Sequence, residues 1–256
     1  MNKAYIEPKN ANISIDEMNN ELNNLKQMLI SKKLTLDDTS LKQLDLFTRY
    51  LLKWNTVINL TAITKLNEIF IKHYFDCLAP LPSISLKQNS SLIDVGAGAG
   101  FPSIPIKIAR QDLKITLLDS LQKRVNFLNG TIKELHLSNI TALHIRAEDA
   151  SHNKLYREIF DYATARAVAP LNILCEYCLP FVKQGGSFIA YKGINANEEI
   201  ECSKNAIGLL GGEISNIVEF SLPFEEGIRQ VVVINKIKQT PRQFPRKAQI
   251  IKNKPL

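Results

Sequence analysis

Residues 91–109 read SLIDVGAGAGFPSIPIKIA. The short apolar run SLIDV ends at three alternating glycines, Gly96, Gly98 and Gly100, and FPSIPIKIARQ then takes up a helical rhythm. A strand that turns sharply on glycines into a helix opens a doubly wound α/β sheet. The turn carries D-x-G-x-G-x-G from Asp94 onward. A dinucleotide fingerprint would need G-x-G-x-x-G/A, and both registers fail, with Phe101 or Ser103 at the last position. Glycines permit a tight turn and a close ligand approach. The Asp94 carboxylate beside them would repel a pyrophosphate but suits an amine or another cation.

Working outward, strand and helix patterns alternate: LKITLLD, SLQKRVNFLNGTIKELHL, ITALHI, FDYATARA, LNILCEYCLPFV, GGSFIAYKG and NEEIECSKNAIGLL. GEISNIVEFSL and IRQVVVINKI close the series with only PFEEG between them. That gap is too short for a crossover helix, so the last two strands are expected to form an antiparallel hairpin. The expected fold is α/β, with a Rossmann-like, mostly parallel seven-stranded sheet and an antiparallel C-terminal hairpin. Asp119 closes the second strand, where a carboxylate grips ribose hydroxyls. A ligand with a ribose, a positive end and no phosphate fits S-adenosylmethionine better than NAD. The competing reading is a structural glycine turn with no ligand.

Ahead of the sheet, residues 1–85 read as a helical extension. SIDEMNNELNNLKQMLISKK starts with Ser14 as cap and Glu17 three residues on, and Met18, Leu22, Leu25 and Leu29 recur on one face. A second helix carries Leu41, Leu44, Phe47, Leu51 and Trp54; a third covers NEIFIKHYFDCLA and stops before Pro80 and Pro82. Residues 86–238 form the Rossmann-like domain, and 239–256 a basic tail.

Among 256 residues, 45% are hydrophobic and 22% charged, which fits a globular chain. No apolar stretch approaches the ~20 residues of a membrane span, and the N-terminus lacks a signal-peptide core, so a cytoplasmic address is expected. Net charge is +7. Residues 227–256 hold eight Lys or Arg and no acid; +7 minus +8 leaves −1 for residues 1–226. A basic excess so concentrated points to a polyanion, with Arg242, Arg246 and Lys247 as contacts, or else to a solvated tail. Cutting the chain after Lys238 is expected to weaken RNA binding while sparing the donor. Lys123 and Arg124 either meet RNA phosphate or face solvent. Cys175 and Cys178 form a lone C-x-x-C inside an apolar helix; without a second ligand pair they read as buried thiols, and no metal is expected.

LIDVGAGAGFPSIPIKIA, LLDSLQKRVNFL, HIRAED, ATARAVAPL and AYKG together resemble the bacterial 16S rRNA guanine-N7 methyltransferase family, also called glucose-inhibited division protein B. WNTVINLTAI and HYFDCL are similar to its N-terminal segments, and TPRQFPRKA to its basic C-terminal one. The resemblance implies a class I methyltransferase, with S-adenosylmethionine as donor and the small ribosomal subunit as substrate. It implies that Gly96 and Phe101 flank the donor, that Ala147 and Glu148 sit beside the adenosine, and that Arg166 faces the methionine end or the substrate side. One departure stands out. RKAQIIKNKPL has Gln249 and Ile250 where the family places a glycine turn.

Guanine N7 carries a free lone pair, so the implied reaction needs no general base. The sequence accordingly lacks an N/D-P-P-Y/F motif and a Pro-Cys nucleophile. Arg166 and Lys192 are the candidate catalytic residues; Lys192 follows a strand end that lines the cleft. Tyr191 either stacks on a base or packs in its strand. His73 and Asp76 share a helix face, as a lid over the donor or as a surface or capping pair. The chain is expected to act as a monomer. Two further readings stay open: an NAD-dependent oxidoreductase and a non-catalytic rRNA-binding assembly factor.

Overall fold

The computed structural model describes residues 13–193, 196–224 and 226–256. Among them, seven strands form one sheet in the order β3-β2-β1-β4-β5-β7-β6. These are β1 (Ser91–Val95), β2 (Lys114–Asp119), β3 (Ile140–His144), β4 (Phe160–Arg166), β5 (Val182–Lys192), β6 (Gly212–Ser221) and β7 (Ile228–Lys236). Strands β1 to β5 pair in parallel, and β7 runs antiparallel to both β5 and β6. The closing hairpin forms as the short PFEEG connection requires, but its second strand is the one that joins β5. Burial explains this order. Val231, Val232 and Ile234 of β7 are buried, as a central strand demands, whereas most of β6 is exposed, as suits an edge.

Helices cover both faces. On one side lie α1 (Ile15–Ser31) and α2 (Asp38–Asn55), then a helical run over 66–78. The Ser14 side chain accepts the Glu17 amide (3.1 Å), and Met18, Leu22, Leu25 and Leu29 are buried, as their spacing indicates. Asp37 caps α2 through the Ser40 amide (2.7 Å). The third run is not uniform: α3 (Leu66–Ile69) passes through a π-helical turn, Phe70–Phe75, into α4 (Asp76–Leu78). These helices share one core with the sheet, in which Phe47, Phe70 and Leu25 meet Leu92, Leu117 and Phe127. α5 (Ser103–Ala109) and α6 (Gln122–Glu134) complete that layer. The opposite core gathers Ile93, Ala163, Phe188 and Val232 with α8 (Leu171–Cys178) and α9 (Ala196–Leu209). Cys175 and Cys178 lie inside it as buried thiols, and burial pushes both upward in pKa. Two short helices escape the sequence pattern: α7 (Ala147–Ala150) and α10 (Ala248–Asn253).

Residues 239–256 are folded against the body. Thr240, Phe244 and Ile251 are buried. The Arg157 guanidinium donates to the carbonyls of Thr240 and Phe244 (both 2.9 Å). Among the described residues, no helix is long and apolar enough to cross a membrane. Nor does any group of three or more His, Cys, Asp or Glu residues there offer a metal site.

Candidate functional site

The glycine elbow sits at the carboxyl end of β1. The Gly96 and Ala97 amides both donate to the Leu118 carbonyl (2.9 Å each), which ties the turn to β2. Gly96 has φ +76°, and a Cβ there would lie 2.8 Å from Val168 Cγ2. Gly100, at φ +91°, would set one 2.6 Å from Ile104 Cγ1. No larger residue fits either position without displacing its neighbours. Asp119 is nearly buried and organises both loops. Its Oδ2 accepts the Gly98 amide (2.9 Å), and its Oδ1 accepts the Leu121 amide (2.8 Å). Asp119 therefore holds the elbow in shape while facing the space in front of it.

That space holds three adjoining cavities that share lining residues. The first, about 400 Å³, is lined by Gly96, Gly98, Phe101, Asp119, Arg124 and Arg166. The second, about 190 Å³, shares Gly96, Asp119, Ser120 and Val168 with it and extends to Ala147, Glu148, Tyr177 and Ala248. The third, about 530 Å³, shares His73, Arg166 and Ala167 with the first and reaches Lys72, Asp76, Tyr191, Lys192 and Arg229. The elbow, Asp119, Ala147 and Glu148 thus meet at one place, although they come from three loops. Such a crevice at the carboxyl ends of β1 and β4, where strand order reverses, is where open α/β sheets bind ligands.

Asp94 does not line these cavities. Its side chain is wholly buried behind the elbow beside the Ser103 hydroxyl and amide, and among the described residues no donor meets either carboxylate oxygen in good hydrogen-bonding geometry. Burial raises its pKa from 3.8 to about 7, against the opposing pull of the nearby Ser103 hydroxyl and amide and of the Arg166 charge. Direct contact with a ligand, expected from its place in the sequence, is therefore corrected. Side chains at alternate strand positions point to opposite faces, and this one points into the protein.

Between the first and third cavities stands a charged partition. Arg166, at the end of β4, donates Nη1 to Asp76 Oδ2 (2.7 Å) and to the Lys72 carbonyl (3.1 Å), and Nη2 to His73 Nδ1 (3.0 Å). An arginine only donates, so His73 Nδ1 accepts at that contact; the same nitrogen lies 3.2 Å from the Lys72 carbonyl, and Nε2 lies 3.0 Å from Thr61 Oγ1. Burial and then the Arg166 charge hold His73 down at about 3, so the ring is neutral. It stacks on Phe101 (4.3 Å), and the Arg166 guanidinium lies 5.0 Å from the same ring. Burial raises the Asp76 carboxyl, and Arg166 chiefly opposes it. His73 and Asp76 are thus the anchor of Arg166 rather than a surface pair. Both the Lys72 carbonyl and the His73 ring that meet this arginine lie in the π turn.

Other candidates fall differently. Arg124 lines the first cavity with Nη1 3.6 Å from Asp119, so it belongs to the elbow rather than to an outer RNA face. Lys123, Arg242 and Lys247 are exposed. Arg246, read as an RNA contact, is corrected: its amide and Nε reach Glu176 Oε1 (2.8 and 2.9 Å), and Nη2 reaches Oε2 (2.7 Å). The Nε and Nη2 edge of this guanidinium is committed to a buried carboxylate, so its first role is within the fold. Lys192 pairs with Glu199 (2.6 Å) and the Ala169 carbonyl (3.1 Å) on the wall of the third cavity. Tyr191 is a packed strand tyrosine, its hydroxyl bonded to the Cys77 carbonyl (2.9 Å).

Comparison with known proteins bears on this geometry. A family model described as GidB, rRNA small subunit methyltransferase G, matches residues 40–231. The chain is 47% identical over 228 residues to ribosomal RNA small subunit methyltransferase G of Oceanobacillus iheyensis, which covers 89% of this chain and 96% of that one. Its counterpart from Alkaliphilus metalliredigens is 49% identical over 221 residues, covering 86% and 92%. A solved structure of a mutant MtNAS aligns with a TM-score of 0.53 at 12% identity, covering 87% of this chain and 78% of that one; at such identity the likeness concerns the fold alone.

Proposed function

The chain belongs to the GidB family, the rRNA small subunit methyltransferase G proteins, and on that premise we propose that it methylates N7 of a guanine in 16S rRNA with S-adenosylmethionine as donor. The observation that carries this reading is the adjacency of the cavities: a glycine-lined, Asp119-backed space shares His73, Arg166 and Ala167 with a neighbouring room edged by the ion-paired cations Lys72, Lys192 and Arg229 and by the acids Asp76 and Glu199.

The residues present fit this donor. Gly96 leaves backbone exposed where a Cβ would strike Val168. Asp119 spends one lone pair of each oxygen on the Gly98 and Leu121 amides, and a carboxylate has about four acceptor sites, so it retains capacity for ribose hydroxyls. Ala147 and Glu148 line the smaller cavity, on the adenosine side. When bound, S-adenosylmethionine supplies an electrophilic methyl group on a sulfonium sulfur.

The protein's own part is alignment. N7 attacks with its free lone pair, so no side chain has to remove a proton. His73 is not a base in this scheme: its Nδ1 is occupied by Arg166. Arg166 is a positioning residue that fixes the border between donor and guanine, stiffened by Asp76, His73 and Phe101. Holding two reactants in attack geometry can supply on the order of 7–11 kcal/mol of the barrier. Lys72, Lys192 and Arg229 line the guanine side. Exposed Lys123, Arg242 and Lys247 serve phosphates farther out. On this reading the enzyme works in the cytoplasm as a monomer, and sedimentation at working concentration checks the latter.

Labelled donor and small ribosomal subunits from a strain lacking this protein test the proposal. Label recovered as 7-methylguanine in 16S rRNA supports it. Label on another base, or stabilisation by NADH but not by S-adenosylhomocysteine, overturns it.

A further inference from the structure

Residues 239–256 begin near the amino end of the parallel strands and end up near their carboxyl end. β7 leaves the sheet at Lys236, which pairs with Gly212 at the start of β6. The chain then crosses the carbonyl-binding guanidinium of Arg157, reaches Glu176 through Arg246, and arrives at the second cavity with Ala248. Eleven residues separate Lys236 from Ala248, ample for the ~23 Å height of a seven-residue strand.

We propose that this segment is the outer wall of the donor cavity, and that the Arg246–Glu176 pair is the contact that positions it. The inference rests on reading the first two cavities as the donor site. Ala248 lines the same space as Ala147, Glu148 and Tyr177, so the segment forms part of the cavity wall together with α7 and α8. Glu176 neighbours Tyr177 on α8, so one helix both holds the strap and lines the site. The grip is specific: three hydrogen bonds join Arg246 to a carboxylate whose side chain is 1% exposed. Only a planar fork satisfies both oxygens of such a group at once. Beyond Ala248, the positions where the family carries a glycine turn have become α10, which exposes Gln249 and Ile250 and fully buries Ile251. This short helix pins the wall by an apolar residue. A tail that served RNA alone would need neither the buried ion pair nor the buried isoleucine. The expectation that residues beyond Lys238 can be lost without cost to the donor is therefore replaced.

Calorimetric titration of S-adenosylhomocysteine into the full-length protein tests this. Wild type is compared with Ala248→Phe, Arg246→Ala, Arg246→Lys and Lys252→Ala, with thermal melting and the KM and kcat for S-adenosylmethionine in parallel. A phenyl ring placed into the smaller cavity is expected to weaken binding about tenfold or more, with the melting temperature unchanged. Arg246→Ala is expected to raise Kd and KM several-fold with kcat within about twofold, Arg246→Lys to recover part of the loss, and Lys252→Ala to match wild type. Wild-type affinity in both Ala248→Phe and Arg246→Ala overturns the proposal. If Arg246→Ala fails to fold, Ala248→Phe decides alone. If wild type itself does not bind the probe, the donor reading is what fails.

Discussion

Asp94→Asn should change how the stability of this protein depends on pH. The carboxyl is fully buried, among the described residues no donor meets it in good hydrogen-bonding geometry, and burial, opposed chiefly by nearby Ser103, raises its pKa from 3.8 to about 7. A carboxyl that titrates higher in the folded chain than in the unfolded one prefers to keep its proton in the native state. Its contribution to stability is therefore greatest below about pH 4. It is lost as pH rises from there to about 7, and it levels off above that. Each tenfold change in proton affinity is worth about 1.4 kcal/mol, so the whole excursion approaches ~4 kcal/mol. Between pH 5 and 8 the wild type should lose about 2–3 kcal/mol that the Asn variant does not, because asparagine has the same shape and cannot ionise. Urea unfolding of both proteins at half-unit steps across that range measures the difference, in which other titrating groups largely cancel. The two curves should diverge steadily up to pH 7 and run parallel beyond it. Curves parallel throughout would mean that Asp94 is ionised in the native state at pH 5, and the argument from its isolation would be wrong.

Gly96→Ala sets a methyl 2.8 Å from Val168 at φ +76°, so S-adenosylhomocysteine affinity should fall at least tenfold on calorimetric titration. Asp119→Ala removes the acceptor for two loop amides as well as the ribose contact. It should cost about 1–3 kcal/mol in urea unfolding in addition to weakening the donor, and unchanged donor affinity would argue against its role. Replacing Arg242 and Lys247 together by alanine should reduce the slope of log affinity for rRNA against log salt by about 1.4–1.8, with donor affinity held. A slope equal to that of wild type would remove these residues from the RNA face.

The elbow was legible because alternate glycines behind an acid leave few other readings, and Asp119 because one helix separates it from them in a regular β-α-β rhythm. The hairpin followed from a connection too short to cross. What stayed hidden depends on pairings made only in three dimensions. Arg166 meets Asp76 across 90 positions, and Arg246 meets Glu176 across 70, so neither partner announces the other. Position alone placed Asp94 at the ligand, but the direction of its side chain put it in the core. The π turn over 70–75 alters apolar spacing too little for periodicity to register it. α7 and α10 are shorter than two helical turns, below the window in which a period can be read.

The sheet divides where β1 meets β4, strands joined through only three residue pairs, Leu92–Tyr162, Ile93–Ala163 and Asp94–Thr164. On one side lie β3, β2 and β1, and on the other β4, β5, β7 and β6. The first cavity straddles this seam, because Gly96 and Ser120 come from the first half and Arg166 to Val168 from the second. Whatever fills it is bound by both halves at once and by neither alone. Occupancy therefore acts as a rivet across the line where strand order reverses, slowing amide exchange along β1 and β4 more than along the outer strands, and tightening the framework as the site is loaded.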